Sequence, residues 1–249
     1  MPTGLVPEGA KALLFDIDGT LLDSSGQRVQ SWQEAAGKHG LSISKAQYLA
    51  YTGMKGRDIV DKLCSDQGVE LSPEQRQDVV DTESAIFQDK GLKESAIFQE
   101  QGFKESAIFQ EQGLKEAQPV GIVMRIIEEG RARQLPMGVV SGGEPQVVEK
   151  MLGTASLGDA FKVVVSSKDV EHAKPAPDVY LLAAERLGVE PGACVAYEDA
   201  PLGLESARRA GYLGAIDVTA SEQHPEHAMK DGRGGGVRPE VEGLAGDVM

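Results

Sequence analysis

The amino-acid sequence predicts an α/β protein, with a doubly wound parallel sheet as its core and an α-helical domain inserted after the first strand. Two observations predict the core: short apolar runs recur along the chain, and helical patterns separate them. A third predicts the insertion, because residues 25–118 contain helical patterns but no convincing strand. We therefore expect the core to comprise residues 10–24 and 119–218.

The predicted strands are short apolar runs that end at polar residues or glycine. Residues 12–16 read Ala-Leu-Leu-Phe-Asp, and Gly19 follows, which is typical of a buried parallel strand that ends at a loop. Similar runs recur at 137–140, 163–165 and 194–197. Helical patterns lie between them, at 145–152 and 179–187. This alternation indicates βαβ units and hence a parallel sheet.

The inserted segment is predicted to form a helical cap over the core. Apolar residues recur with helical spacing in four stretches, at 29–39, 44–51, 57–67 and 73–88.

A tandem repeat lies inside this cap. Residues 83–93 read ESAIFQDKGLK, and two near-identical units follow at 94–104 and 105–115. Eleven residues turn an α-helix through about 1100°, close to three full turns. We therefore expect the repeats to be mainly helical, either as one helix or as segments that end at their glycines.

The repeats also carry apolar side chains that would be partly exposed on a lone projecting helix. These are Ile86, Ile97 and Ile108 with Phe87, Phe98 and Phe109. Such a row is expected to find a partner, either a second copy of the chain in a homodimer or the protein's own cap. Beyond the core, residues 219–249 are polar and read as a loose C-terminal extension.

Composition excludes several classes of function. The net charge is −14, which argues against nucleic acid and anionic membrane surfaces as partners, since both attract Lys and Arg. Two cysteines are too few to indicate a disulfide framework. The sequence shows no signal peptide and no apolar run of membrane-spanning length, so we expect a cytoplasmic protein.

The most informative motif follows the first predicted strand and reads Asp16-Ile-Asp18-Gly-Thr20-Leu-Leu-Asp23-Ser24. Two carboxylates two residues apart can converge on one point if the chain turns sharply, and Gly19 permits that turn. Ligands bind at the carboxyl ends of strands in open α/β sheets. The motif therefore predicts a functional site there.

This motif resembles the first signature of haloacid dehalogenase-type phosphatases, and three further segments follow in that family's order. Ser141 matches the second signature, Lys174 in Lys-Pro-Ala-Pro-Asp matches the third, and Glu198-Asp199 match the fourth. Within the family, the stretch 174–217 is most similar to sugar-phosphate phosphatases and β-phosphoglucomutases. The resemblance implies a Rossmann-like core with a helical cap and the hydrolysis of a small phosphorylated metabolite.

The resemblance also implies a role for each matching residue. Asp16 is the expected nucleophile, which forms an aspartyl-phosphate, and Asp18 is the expected general acid and base. Ser141 and Lys174 are expected to hold the phosphoryl oxygens.

A magnesium ion is the implied cofactor, because hard oxygen ligands suit it. The expected ligands are the Asp16 and Asp199 carboxylates and the Asp18 backbone carbonyl. Glu198 is expected to contribute directly or through water.

Four residues are candidates to contact the substrate. Lys55 and Arg57 lie in the glycine-containing loop 52–57, which resembles the family's substrate-facing cap loop. Thr20 and Gly142 adjoin the catalytic residues of the first two motifs.

Four alternatives stay open at this point. A β-phosphoglucomutase-like enzyme is disfavoured, because the family's mutases carry a histidine in the first cap helix where this chain has Arg28. A dehalogenase is disfavoured by Asp18, and a phosphonatase by the poor spacing of Lys55 as a Schiff-base lysine. A catalytically silent assembly protein is disfavoured because both motif aspartates are present.

Overall fold

We analysed the protein in a computed structural model, which describes residues 4–91, 118–155, 157–221 and 223–225. The strands in these ranges are β1 (Ala12–Phe15), β2 (Leu22–Asp23), β3 (Gln118–Pro119), β4 (Met137–Val140), β5 (Val163–Val165), β6 (Cys194–Glu198) and β7 (Gly214–Asp217). The α-helices are α1 (Ser25–Gly37), α2 (Lys45–Tyr51), α3 (Gly56–Gln67), α4 (Pro73–Ile86), α5 (Gly121–Ala132), α6 (Pro145–Thr154), α7 (Asp178–Leu187) and α8 (Pro201–Arg209). None of the helices in these ranges is long and apolar enough to cross a membrane.

The core is a parallel sheet with the strand order β5-β4-β1-β6-β7, which confirms the predicted fold class. Strand β1 lies at its centre, where Leu13 pairs with Met137 of β4 on one side and with Val195 of β6 on the other. All four residues of β1 are buried, because helices cover both faces of the sheet.

Each face of the sheet has its own apolar cluster. On one face, Leu13 and Phe15 pack with residues of α5 and α6 such as Ile126 and Val147. On the other, Leu14 packs with residues of α7 and α8. The alternation of β1 side chains between the two clusters follows from the two-residue period of a strand. Pairing with β4 and β6 places the carboxyl end of β1 between these two strands, and the site lies there.

The cap consists of α1–α4 and buries its own cluster around Trp32, Tyr48 and Leu63. Capping boxes start two of its helices, with Ser44 before α2 and Ser72 before α4. A short antiparallel pair, β2 with β3, lies where the chain leaves the core and returns to it.

Helix α1 begins at Ser25, earlier than the apolar pattern predicts. Arg28 is therefore a helical residue, and it lies one turn after Ser24, the residue that precedes the helix.

The first repeat unit is packed against the core, which corrects one expectation. Helix α4 continues through Ile86, and a π-helical turn follows at Phe87–Gly91. Phe87 is fully buried and belongs to the cluster of the catalytic core, although its apolar pattern suggested partial exposure. Ile86 packs against the cap cluster instead. The second and third units lie outside the described residues.

The predicted loose extension also begins with an ordered segment. Residues Val218–Ala220 form a 3₁₀ turn, and Ser221 and His224 are buried. The polar composition of this stretch gave no sign that its side chains pack against the core.

Candidate active site

The site lies at the carboxyl ends of three neighbouring strands. Asp16 follows β1, Ser141 follows β4, and Glu198 ends β6 with Asp199 next to it. Lys174 reaches the same point from the loop that precedes α7. The structure thus brings together the residues of all four motifs, as expected for the strand ends of one parallel sheet.

A buried lysine joins two of these carboxylates. Lys174 Nζ lies 2.6 Å from Asp16 Oδ1 and 2.5 Å from Glu198 Oε1, and it donates more weakly to the carbonyl of Val140. Burial disfavours the ammonium, but Asp16 and Glu198 outweigh it and raise the pKa of Lys174 above its ordinary value. Lys174 is therefore a fixed positive charge beside Asp16.

Glu198 is completely buried and only half satisfied. Its Oε1 accepts hydrogen bonds from Lys174 and from the Tyr180 hydroxyl at 2.7 Å. Its Oε2 has no hydrogen-bond partner among the described residues. The absence of a side chain at Gly203 leaves room for the Glu198 carboxylate, since a Cβ at residue 203 would overlap it. A buried carboxylate oxygen of this kind is suited to a cation.

Asp16, Glu198 and Asp199 form the group that could hold that cation. One carboxylate oxygen of each lies within 4.8 Å of those of the others. Burial, supported by the charge of Glu198 and opposed by Lys174, raises the pKa of Asp16 to about 7. Removal from water and the charge of Asp16 likewise raise the pKa of Asp199. A divalent cation would relieve this repulsion and favour the ionised forms of Asp16 and Asp199.

Asp18 is held from the cap side. The Ser24 hydroxyl donates to Asp18 Oδ1 at 2.5 Å, and Arg28 donates from Nε to Oδ1 at 3.1 Å and from an Nη to Oδ2 at 3.2 Å. This is the bidentate geometry that suits a guanidinium and a carboxylate. The orientation of Asp18 therefore depends on a residue of the first cap helix.

Gly19 and His224 form the other side of the catalytic loop. Gly19 has a φ of +82°, and a Cβ at this position would overlap the Asp199 carboxylate. Its carbonyl lies 2.8 Å from Nε2 of His224, which is 3% exposed. Because a carbonyl only accepts, Nε2 carries the hydrogen in this contact. The C-terminal segment thus supports the loop that carries Asp16 and Asp18.

A cavity of about 70 Å³ lies between cap and core. Asp16, Asp18, Ser141 and Gly142 line its core side. The cap contributes aromatic and charged side chains, namely Trp32, Tyr48, Tyr51, Arg28 and Glu83. The Ser141 hydroxyl, which accepts from the Gly143 amide at 3.1 Å, faces the same space.

Three of the four predicted substrate contacts have protein groups as their partners in the described structure. Lys55 donates to the carbonyls of Val170 and Glu171, both at 2.8 Å, because it precedes α3 and points to a loop of the core. Arg57 pairs with Asp61 on the cap surface. Thr20 donates to Asp199 Oδ1 at 3.1 Å. None of these three lines the cavity in the part of the chain that the structure describes, and their contact with a substrate stays a prediction.

Four residues at the site belong to none of the four sequence motifs: Arg28, Glu83, Tyr180 and His224. In the sequence, Arg28 only occupies the place of the mutases' histidine, and Glu83 only begins a repeat unit. A signal for Arg28 does exist, since it lies ten residues after Asp18 and one helical turn after Ser24. The sequence offers no comparable signal for His224, which lies in a polar tail.

Comparison with known proteins gives a consistent result. A family model described as a haloacid dehalogenase-like hydrolase matches residues 10–211. Fructose-1-phosphate phosphatase YqaB of Escherichia coli is 31% identical over 83% of this chain and 95% of its own length. Hexitol phosphatase A of the same organism is 27% identical over 81% of this chain and 80% of its own. The structure of CbbY from Rhodobacter sphaeroides in complex with phosphate has the same fold, with a TM-score of 0.65 and 23% identity over 82% of this chain and 84% of that one.

Proposed function

This chain belongs to the haloacid dehalogenase-like hydrolase family, and we propose that it is a magnesium-dependent phosphatase for a small sugar phosphate, acting through an aspartyl-phosphate. The observation that carries this proposal is the position of Asp16. Its carboxylate lines the cavity beside Asp18 and Ser141, and Lys174 lies 2.6 Å from one of its oxygens.

Asp16 is the proposed nucleophile. Lys174 binds Oδ1, which directs the second carboxylate oxygen to the phosphorus. The bond between phosphorus and the ester oxygen breaks, and Asp18 gives its proton to that leaving oxygen. Asp18 then removes a proton from a water molecule whose oxygen attacks the aspartyl-phosphate. Inorganic phosphate leaves, and the Asp16 carboxylate is restored.

Lys174 and Ser141 bind the phosphoryl oxygens in this scheme. The ammonium offsets the charge that develops on those oxygens, and the buried setting strengthens its effect. The Ser141 hydroxyl and Gly142 lie at the carboxyl end of the neighbouring strand β4 and would complete the phosphate site.

The oxygen donors present fit Mg²⁺. Asp16, Asp199 and the Asp18 backbone carbonyl would hold the ion, with Glu198 contributing directly or through water. When bound, Mg²⁺ supplies positive charge that screens the nucleophilic carboxylate from the negative phosphate. The unpartnered Oε2 of Glu198 supports this assignment, because it is the buried oxygen for which the described residues supply no donor.

The side chains on the cap side of the cavity suit the chemistry of a polyol phosphate. Trp32, Tyr48 and Tyr51 provide flat surfaces against which the carbon chain of a polyol can pack. Two relatives are named for related substrates, fructose 1-phosphate and hexitol phosphates. We therefore expect ketose and hexitol phosphates to be the best substrates.

A panel of phosphate esters tests the proposal. Purified protein with Mg²⁺ is offered hexose, ketose and hexitol phosphates, and released phosphate is measured. We expect release from at least one of them at a kcat/KM of about 10⁴ M⁻¹ s⁻¹ or more. Conversion of β-glucose 1-phosphate to glucose 6-phosphate, without phosphate release, would favour the mutase instead. Absence of both activities would contradict the proposal.

A further inference from the structure

We propose that the first repeat unit is a positioning element of the active site, in which Glu83 and Phe87 hold Arg28 and Arg28 in turn orients Asp18. The inference rests on the proposed function, because it assigns Asp18 to proton transfer. It gives the first copy of the tandem repeat a role in catalysis.

The contact between Arg28 and Asp18 is specific. Two of the guanidinium nitrogens bind the two oxygens of the carboxylate, so the plane of Asp18 is fixed and not merely its distance. Ser24 binds Oδ1 as well. Proton transfer requires a carboxyl group within hydrogen-bond reach of the leaving oxygen, so a change in the orientation of Asp18 changes its efficiency.

Arg28 is itself held by the repeat. Its third nitrogen donates to Glu83 at 3.1 and 3.4 Å, and the guanidinium carbon lies 3.7 Å from the centre of the Phe87 ring. Both partners are buried, with Glu83 at 3% and Phe87 at 0% exposure. A guanidinium in such a setting requires hydrogen bonds and a compensating charge. Glu83 provides the charge, and the face of Phe87 provides a cation–π contact.

The unit spans the boundary between cap and core. Glu83 lies in the last turn of α4, which packs against α1, the helix that carries Arg28. Phe87 packs into the core cluster with residues such as Val147 and Met151. The segment Glu-Ser-Ala-Ile-Phe therefore connects Arg28 to both parts of the protein, and the same five residues begin each repeat unit.

The repeat provides matched controls for a test. Glu94 and Glu105 occupy the place of Glu83 in units of nearly the same sequence, and Phe98 and Phe109 occupy the place of Phe87. If the positioning of Arg28 depends on the place of the residue in the fold, replacing Glu83 or Phe87 lowers activity. Replacing the equivalent residues of the second and third units then leaves activity unchanged.

The experiment compares Glu83→Gln with Glu94→Gln and Glu105→Gln on two substrates. One is the best sugar phosphate, whose alkoxide must be protonated as it leaves. The other is p-nitrophenyl phosphate, whose leaving group is stable as an anion and needs little help from Asp18. The ratio of the two kcat/KM values reports on proton transfer, whereas a loss of folding lowers both values together.

We expect Glu83→Gln to lower kcat/KM for the sugar phosphate by about tenfold or more and that for p-nitrophenyl phosphate by less than about threefold. Glu94→Gln and Glu105→Gln should each remain within about twofold of the unsubstituted protein on both substrates. In an Asp18→Asn background, Glu83→Gln should have no further effect, because it acts through Asp18.

Phe87→Leu, with Phe98→Leu and Phe109→Leu as its controls, repeats the test without altering a charge. It keeps the inference testable if Glu83→Gln does not fold, which thermal melting would reveal. An unchanged ratio of kcat/KM values in both Glu83→Gln and Phe87→Leu would overturn the inference, as would equal losses in the control variants. Lack of phosphatase activity in the unsubstituted protein would instead contradict the proposed function.

Discussion

At the scale of single residues, the active-site carboxylates are in close contact with two glycines and a lysine, and larger side chains would not fit at the glycines. Gly19 and Gly203 permit two carboxylates to approach the backbone, and Lys174 lies between Asp16 and Glu198. The buried carboxylate oxygen of Glu198 marks where a cation fits.

His224 provides a test at this scale, because it binds the carbonyl of Gly19 from outside the family's matched range of 10–211. His224→Ala leaves this buried carbonyl without its donor, which costs about 1–3 kcal/mol of stability. We expect a lower melting temperature and a lower kcat, since the catalytic loop loses its support. His224→Gln retains a donor at a similar distance and should restore part of both.

His39→Ala is the matched control for His224→Ala. His39 contacts an exposed carboxylate, Asp78, on the cap surface and should have little influence on either quantity. If His224→Ala left both the melting temperature and kcat unchanged, the supporting role of the C-terminal segment would be refuted.

Much of the site could be predicted from the sequence at this scale, because three of the four motifs lie at the carboxyl ends of strands of one parallel sheet. The positions of Asp16, Ser141 and Glu198 follow from that topology, whereas Lys174 reaches them from the loop that precedes α7. The cap residues do not follow, since the spacing of Lys55 and Arg57 carries no information on how α3 is rotated relative to the core. Lys55 consequently points to the carbonyls of Val170 and Glu171 and not to the cavity.

At the scale of elements, the first repeat unit joins the cap to the core. Its described part, 83–91, continues α4 into a π-helical turn, and its glutamate and phenylalanine are buried. The eleven-residue period predicted helical structure, but periodicity alone could not predict that Phe87 is buried in the core. That outcome depends on tertiary contacts, because Phe87 packs in the core cluster and the Arg28 guanidinium lies over its ring.

Deletions test the equivalence of the repeat units. Removing 94–115 leaves the first unit in place, and removing 83–104 places the third unit after Thr82. The two products differ only where Asp89 and Lys90 are replaced by Glu111 and Gln112. We expect both to fold and to retain phosphate release within about threefold of the full chain, because each supplies a glutamate and a phenylalanine for Arg28.

Removing 83–115 deletes all three units and with them every copy of that pair. This variant should lose stability or activity, because Arg28 would lose its contacts with the glutamate and the phenylalanine and keep only Asp18 as an ion-pair partner among the described residues. Circular dichroism and phosphate release distinguish the three deletions. Equal activity in all of them would show that the repeat has no part in the site.

The whole molecule concentrates negative charge at a site for an anionic substrate. The chain carries a net charge of −14, and three carboxylates meet at the end of the central strands. A phosphate ester can bind there only if local positive charge outweighs this field. Lys174 supplies part of it, and the proposed Mg²⁺ supplies the rest.

Metal removal tests this balance of charge. We expect EDTA to abolish phosphate release and Mg²⁺ to restore it better than Ca²⁺, because the larger ion accepts looser geometry and more ligands. Undiminished activity in the chelator would refute the assignment of Asp16, Asp199 and Glu198 as a magnesium site.

The central claim is that Asp16 is the nucleophile of a phosphatase, and Asp16→Asn tests it most directly. The substitution keeps the size of the side chain but removes its charge and most of its nucleophilicity. With Mg²⁺ and the best substrate, we predict a decrease in kcat of about three orders of magnitude or more, with an unchanged circular dichroism spectrum. Retention of more than about a tenth of the activity in a folded Asp16→Asn protein would contradict the aspartyl-phosphate mechanism, since loss of a nucleophile reduces turnover by far more than that.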